Sequence, residues 1–181
     1  MHPAVKYARN YAIQAHGEQK YGKKPYVYHL DHVYQISCRF GYHDNPVLGI
    51  GCFLHDIIED TLKGVEDVRA TLGGSTDSRE YATTAAGLVL SVTDFPSGNK
   101  TETFTKRTQH NKQGILLKMF DRIANIEACL AEDKVKILKR YHSEHHLFVK
   151  ILKPWEIDQN VWNYLKELNE LVVGRIYKDI L

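Results

Sequence analysis

Apolar residues recur at steps of three and four through most of the chain. Val161, Tyr164, Leu165, Leu168, Leu171, Val172 and Ile176 form the clearest series. Ile115, Met119, Ile123, Ile126 and Leu130 form a second, and Val33, Ile36 and Phe40 a third. Such spacing lays a buried stripe along one face of a helix. No long segment alternates apolar with polar residues as a half-buried strand would. The pattern predicts helices over 3–18, 29–40, 46–59, 64–72, 77–93, 101–110, 112–130, 132–151 and 157–179. The stretch 20–28, with Gly22 and Pro25, reads as a loop feeding the second helix. Asp44 and Asn45 can cap a helix that opens on Pro46, and Asp77 with Glu80 has capping-box spacing. Gly73-Gly74-Ser75, Pro96-Ser97-Gly98-Asn99 and Lys153-Pro154 punctuate the chain as turns. The expected fold is all-α, a single helical bundle.

Length and composition fit that expectation. The 181 residues correspond to roughly one domain, and 43% hydrophobic with 25% charged residues is an ordinary globular balance. A net charge of +2 lacks the strongly basic footprint of a protein that binds nucleic acid polymers. The apolar runs at 46–54 and 81–93 fall short of the ~20 residues a membrane-spanning helix needs. Residues 1–20 hold Lys6, Arg9, Glu18 and Lys20 and no secretory pattern. Cys38, Cys52 and Cys129 are odd in number and set among apolar residues, as buried thiols in a reducing compartment are. The expectation is a soluble cytoplasmic protein. Ten histidines then stand out and direct attention to metal or acid–base chemistry.

The segment Leu54-His55-Asp56-Ile57-Ile58-Glu59-Asp60-Thr61 sets four ionisable residues in an otherwise apolar run. Burying them together costs several kcal/mol per charge unless something compensates, and a divalent cation does so economically. On a continuous helix His55 lies one turn from Glu59 and Asp56 one turn from Asp60. An adjacent His-Asp pair hydrogen-bonded at a helix surface is the plainer alternative. His29, 26 residues before His55, and Asp121, in an apolar helix, are the further candidates for a metal shell. An ion pair with Arg122 accounts for Asp121 equally well. Two imidazoles and two carboxylates suit Mn, Fe, Zn or Mg-class ions. Asn125 shares the face of Asp121 one turn on.

The ordered set His … His-Asp … Asp resembles the HD-domain phosphohydrolase superfamily. Within it, Ala15-His16-Gly17-x-Gln19, Gly22 and Pro25-Tyr26-x-x-His29 are similar to the opening motif of the Rel/SpoT alarmone hydrolase branch. His55-Asp56-x-x-Glu59-Asp60-Thr61 is similar to its central motif, Leu88-Val89-x-x-Val92-Thr93 to the helix that follows, and Lys118-x-x-Asp121-Arg122-x-x-Asn125 to the last one. The resemblance spans about residues 4–150 and implies a stand-alone HD-domain hydrolase. It implies a Mn²⁺ site held by His29, His55, Asp56 and Asp121, with Glu59 and Asp60 positioning and deprotonating the attacking water. The implied reaction releases pyrophosphate from the 3′ position of ppGpp or pppGpp. The implied substrate contacts are Lys20, Tyr21, Arg122, Asn125, Lys139 and Tyr141. The implied partner is a small-molecule nucleotide, without nucleic acid polymer or membrane. The sequence departs from the family pattern at Lys20-Tyr21, where an Arg is usual, and at Leu30, Phe120 and Ala124. The remaining histidines have plain accounts: burial with a hydrogen bond for His16, and for His32 either a place behind the metal ligands or a surface position. His142, His145 and His146 read as a solvated face or a homo-oligomer contact rather than a second metal site, and Trp155 and Trp162 as packing residues for the last helix.

Overall fold

The computed structural model describes residues 1–94 and 108–178. Nine α-helices are formed among the described residues: α1 Pro3–His16, α2 Val27–Arg39, α3 Pro46–Leu54, α4 Ile57–Asp60, α5 Val65–Gly74, α6 Ala82–Val92, α7 Lys112–Ala131, α8 Val135–Leu152 and α9 Gln159–Tyr177. A two-stranded antiparallel hairpin, β1 Lys20–Tyr21 and β2 Lys24–Pro25, joins α1 to α2. The all-α expectation holds. No helix among the described residues is long and apolar enough to cross a membrane.

The helices start where side-chain acceptors satisfy otherwise unpaired backbone donors. Asn45 Oδ1 accepts from Leu48 N at 3.0 Å, as the residues before Pro46 suggest. Asn111 caps α7 in the same way through Gly114 N, and Asp158 caps α9 through the amides of Asn160 and Val161.

Helix α3 is the centre of the bundle. Every residue from Leu48 to Leu54 is buried, and the helix packs against α1, α2, α6 and α7. Two glycines permit that density. A Cβ on Gly49 would lie 2.8 Å from Val5 of α1, and one on Gly51 would lie 2.8 Å from Leu88 of α6 and 3.0 Å from Leu117 of α7. The core continues through Leu30, Ile36, Phe53, Ile57, Leu117, Met119, Phe120, Ile123, Leu138 and Leu165. This packing fixes α2, α3 and α7, the elements that carry the candidate site.

Three expectations need correction. The helix predicted over 46–59 is two helices, because Asp56 takes φ −97° and ψ −1° and interrupts it. Residues 20–25 are a short hairpin, not an irregular loop; its two-residue strands are too brief for alternation to register, and Gly22 takes the left-handed φ of +61°. The capping box at Asp77 and Glu80 does not form: Ser78 instead donates its hydroxyl to Leu72 O at 2.7 Å, and 79–81 make a single 3₁₀ turn before α6. The helix predicted over 101–110 lies largely outside the described residues.

Candidate metal centre

Four side chains from α2, the α3–α4 junction and α7 meet at one point. His29 comes from the first turns of α2, and Asp121 from the middle of α7. The break after Leu54 turns His55 and Asp56 toward them together, which a continuous helix would not do with adjacent residues. His29 Nε2 lies 3.2 Å from Asp121 Oδ1 and 3.8 Å from Asp56 Oδ2. His55 Nε2 lies 2.9 Å from Asp56 Oδ2 and 3.7 Å from Asp121 Oδ1. One ligand atom from each of His29, His55 and Asp121 falls within 4.8 Å of the others. Asp121 forms no pair with Arg122, whose Nη1 lies 3.2 Å from Glu144 of α8.

The donor set fits a divalent cation. His55 Nδ1 is 3.1 Å from the carbonyl of Cys52, which can only accept, so Nδ1 donates there and Nε2 faces inward. That buried Nε2 has no hydrogen-bond partner. Burial works against a charged His55, yet Asp56 and Asp121 raise its pKa well above the ordinary value. Burial works against ionised carboxylates, yet the imidazoles hold Asp56 down at about 2 and Asp121 well below its usual range. The cluster thus pairs imidazoles with carboxylates, and both are donor types that a divalent cation takes.

Glu59 and Asp60 follow on α4. Glu59 Oε1 accepts from Asp94 N at 2.6 Å. Desolvation raises the Glu59 carboxyl to about 7, against the pull of the buried Lys118 of α7. Asp60 Oδ2 accepts from Gln19 Nε2 at 2.8 Å, and Gln19 Oε1 is 2.8 Å from His16 Nδ1. His16 in turn stacks on Tyr26, with centroids 4.5 Å apart. Tyr26 is buried and donates its hydroxyl to Asp56 Oδ2 at 2.5 Å. Gln19 and Tyr26 have no role in the sequence-based site, although both stand within the motif residues. A tertiary partner 30 or 41 residues away leaves no mark on local spacing.

The residues expected to touch substrate divide into three groups. Tyr21 stacks on His29, centroids 4.8 Å apart and 16° between planes, and its hydroxyl donates to Asn125 Oδ1 at 2.9 Å. Asn125 Nδ2 donates to Asp121 Oδ1 at 2.6 Å, so Tyr21 and Asn125 join the metal cluster. Arg122 and Tyr141 form a neighbouring layer: the guanidinium lies 4.6 Å from the centre of the Tyr141 ring and 4.8 Å from that of Phe148. Lys20 and Lys139 are exposed, Lys20 at the start of the hairpin and Lys139 on α8. The histidines of α8 do not converge. His145 stacks on Trp162 with planes 9° apart, and His142 faces Asn169 at 3.4 Å, so part of this cluster ties α8 to α9. His32 meets Glu127 at 2.8 Å and is only partly exposed.

No family model matches the chain, and no curated protein matches it by sequence. Among solved structures, one described as a metazoan ortholog of SpoT that hydrolyses ppGpp and plays a role in starvation responses superposes with a TM-score of 0.75. The match is 21% identical and covers 93% of this chain and 95% of the other. The chain thus has the fold of that SpoT ortholog over nearly its whole length.

Proposed function

We propose that this protein is a metal-dependent hydrolase that removes the 3′-pyrophosphate of ppGpp and pppGpp, returning GDP or GTP. One observation carries the reading: His29, His55, Asp56 and Asp121 converge with His55 Nε2 aimed inward, beside Glu59 and Asp60 and on the fold of a ppGpp hydrolase. His29, His55, Asp56 and Asp121 hold the cation, Mn²⁺ in this reading. When bound, such an ion supplies charge to the phosphate oxygens and lowers the pKa of water.

The protein's own groups do the rest. Glu59, with a carboxyl poised at about 7, accepts the proton of the attacking water. Asp60, held by Gln19, keeps a second carboxylate beside it to orient that water. The water oxygen bonds to the phosphorus on the 3′ oxygen, the bond from that phosphorus to the 3′ oxygen breaks, and the proton taken from water passes through the site's carboxylates to the departing 3′ oxygen, leaving a 3′-hydroxyl and pyrophosphate. Lys20, Arg122, Lys139 and Tyr141 receive the nucleotide, a small polyanion that the modest net charge does not exclude. The working compartment in this reading is the cytoplasm, where guanine nucleotides reside.

A second reading keeps the chemistry and changes the substrate. No arginine stands in the hairpin, and Tyr21 lies on His29. Both loosen the selection of guanine and leave room for another phosphorylated nucleotide, such as the 2′-phosphate of NADPH. A panel of ppGpp, pppGpp, NADPH and GMP with the Mn²⁺-loaded protein separates the two. Turnover of the guanosine 3′-pyrophosphates ahead of the others supports the first reading, and faster release of orthophosphate from NADPH replaces it with the second.

A further inference from the structure

The hairpin and the residue after it send two hydroxyls toward the two carboxylates of the metal cluster. Tyr26 donates to Asp56 Oδ2, the same oxygen that faces His55 Nε2 at 2.9 Å. Tyr21 reaches Asp121 through one intermediary: its hydroxyl donates to Asn125 Oδ1, and Asn125 Nδ2 donates to Asp121 Oδ1 and to the Asp121 carbonyl at 3.0 Å. Both ends of the Asn125 amide are thereby engaged. Turning the amide over would set its NH₂ against the Tyr21 hydroxyl hydrogen and its oxygen against two acceptors.

From this geometry we infer that Tyr21 and Tyr26 are positioning residues, holding Asp121 and Asp56 in the orientation that binds the cation. The inference rests on the metal-centre reading above and extends it to the hairpin. Asn125, which the family resemblance counts among the substrate contacts, acts in this chain through Asp121. Three further contacts make the hairpin a fixed platform for the two rings. Tyr26 N donates to Gln19 O at 3.0 Å, the strands pair Tyr21 with Lys24, and Lys134 Nζ stands 5.9 Å from the Tyr21 ring centre. The Tyr21 ring also lies nearly parallel to His29 and so sets the plane of that imidazole. Ligating carboxylates held by hydrogen bonds from a rigid outer layer lose fewer rotamers on binding an ion.

Removing only the hydroxyls tests this. The EDTA-stripped full chain is titrated with Mn²⁺ by calorimetry, with no nucleotide present, for the parent, Tyr21→Phe, Tyr26→Phe and His55→Ala. Tyr42→Phe is the control, because its hydroxyl donates to Asp158 at 2.6 Å away from the cluster. Each Phe variant keeps its ring, and far-UV circular dichroism with metal-free melting reports folding. The expected result is Mn²⁺ binding weakened about 10- to 100-fold in Tyr21→Phe and Tyr26→Phe, unchanged in Tyr42→Phe and lost in His55→Ala. If His55→Ala loses the metal while both hairpin variants bind within twofold of the parent, the inference is overturned and the metal centre stands. If His55→Ala binds Mn²⁺ like the parent, the metal-centre reading falls and this inference with it. Should Tyr26→Phe not fold, Tyr21→Phe decides alone by the same criterion.

Discussion

His55 turns its Nδ1 to the carbonyl of Cys52, three residues back at 3.1 Å, and thereby commits its Nε2 to the space shared with His29, Asp56 and Asp121. The contact is a consequence of where α3 stops. Leu54 ends the helix, and the imidazole of the next residue turns back onto the Cys52 carbonyl in its last turn. The end of a buried helix and the inward aim of His55 Nε2 are thus a single structural event.

Removing metal should therefore be felt throughout the bundle. Mn²⁺ at about 100 times its dissociation constant stabilises the folded state by about 2.7 kcal/mol. For a chain of this size that raises Tm by roughly 5–10 °C over an EDTA-treated sample. Differential scanning fluorimetry checks this, and the shift is expected to vanish in Asp121→Ala, whose carboxylate oxygen faces both imidazoles.

Glu59 gives turnover a pH signature. Desolvation raises its carboxyl from about 4.5 to about 7, so the ionised form that accepts a proton accumulates only as pH climbs through 7. The kcat is expected to rise across pH 6–8 for the parent. Glu59→Gln removes the base and is expected to lower kcat about 10²- to 10⁴-fold and flatten the rise, with Mn²⁺ affinity by calorimetry kept. The same raised pKa works against stability: between 4.5 and 7 the folded state holds the proton more tightly, so this contribution declines as pH rises.

Glu127 has the opposite sign. Burial would raise its pKa, but His32, Tyr164 and Arg39 hydrogen-bond its carboxylate and hold it at about 2. The contribution is fully present above the ordinary carboxyl value of 4.5 and is lost as pH falls from there toward 2. Because the cluster ties α2, α7 and α9 together, Glu127→Gln is expected to cost about 1–3 kcal/mol in urea unfolding at pH 7. The loss should shrink at pH 3, and Mn²⁺ affinity should be untouched.

The candidate cluster was legible in the sequence because burial of charge is conspicuous there. His55, Asp56 and Asp121 interrupt apolar runs, and helical periodicity located α2, α7 and α9 with small boundary errors. The hairpin was not legible, since its two-residue strands offer one period of alternation at most. The kink at Asp56 was equally hidden: its residues favour no particular break, and tertiary packing imposes it. The outer layer around the carboxylates escaped for a third reason. Tyr26 and Gln19 look like loop residues until the fold sets them against Asp56 and Asp60, and Asn125 shares the face of Asp121 without revealing that Tyr21 takes up its other end.

The account turns on what leaves when ppGpp is cleaved. Mn²⁺-loaded protein is incubated with ppGpp, and the products are identified by phosphorus NMR and anion exchange, with Asp56→Ala and Asp121→Ala alongside. The predicted result is one pyrophosphate and one GDP for each ppGpp consumed, with turnover abolished in both variants. Release of orthophosphate alone, or no turnover with Mn²⁺ or any other divalent metal, would contradict it.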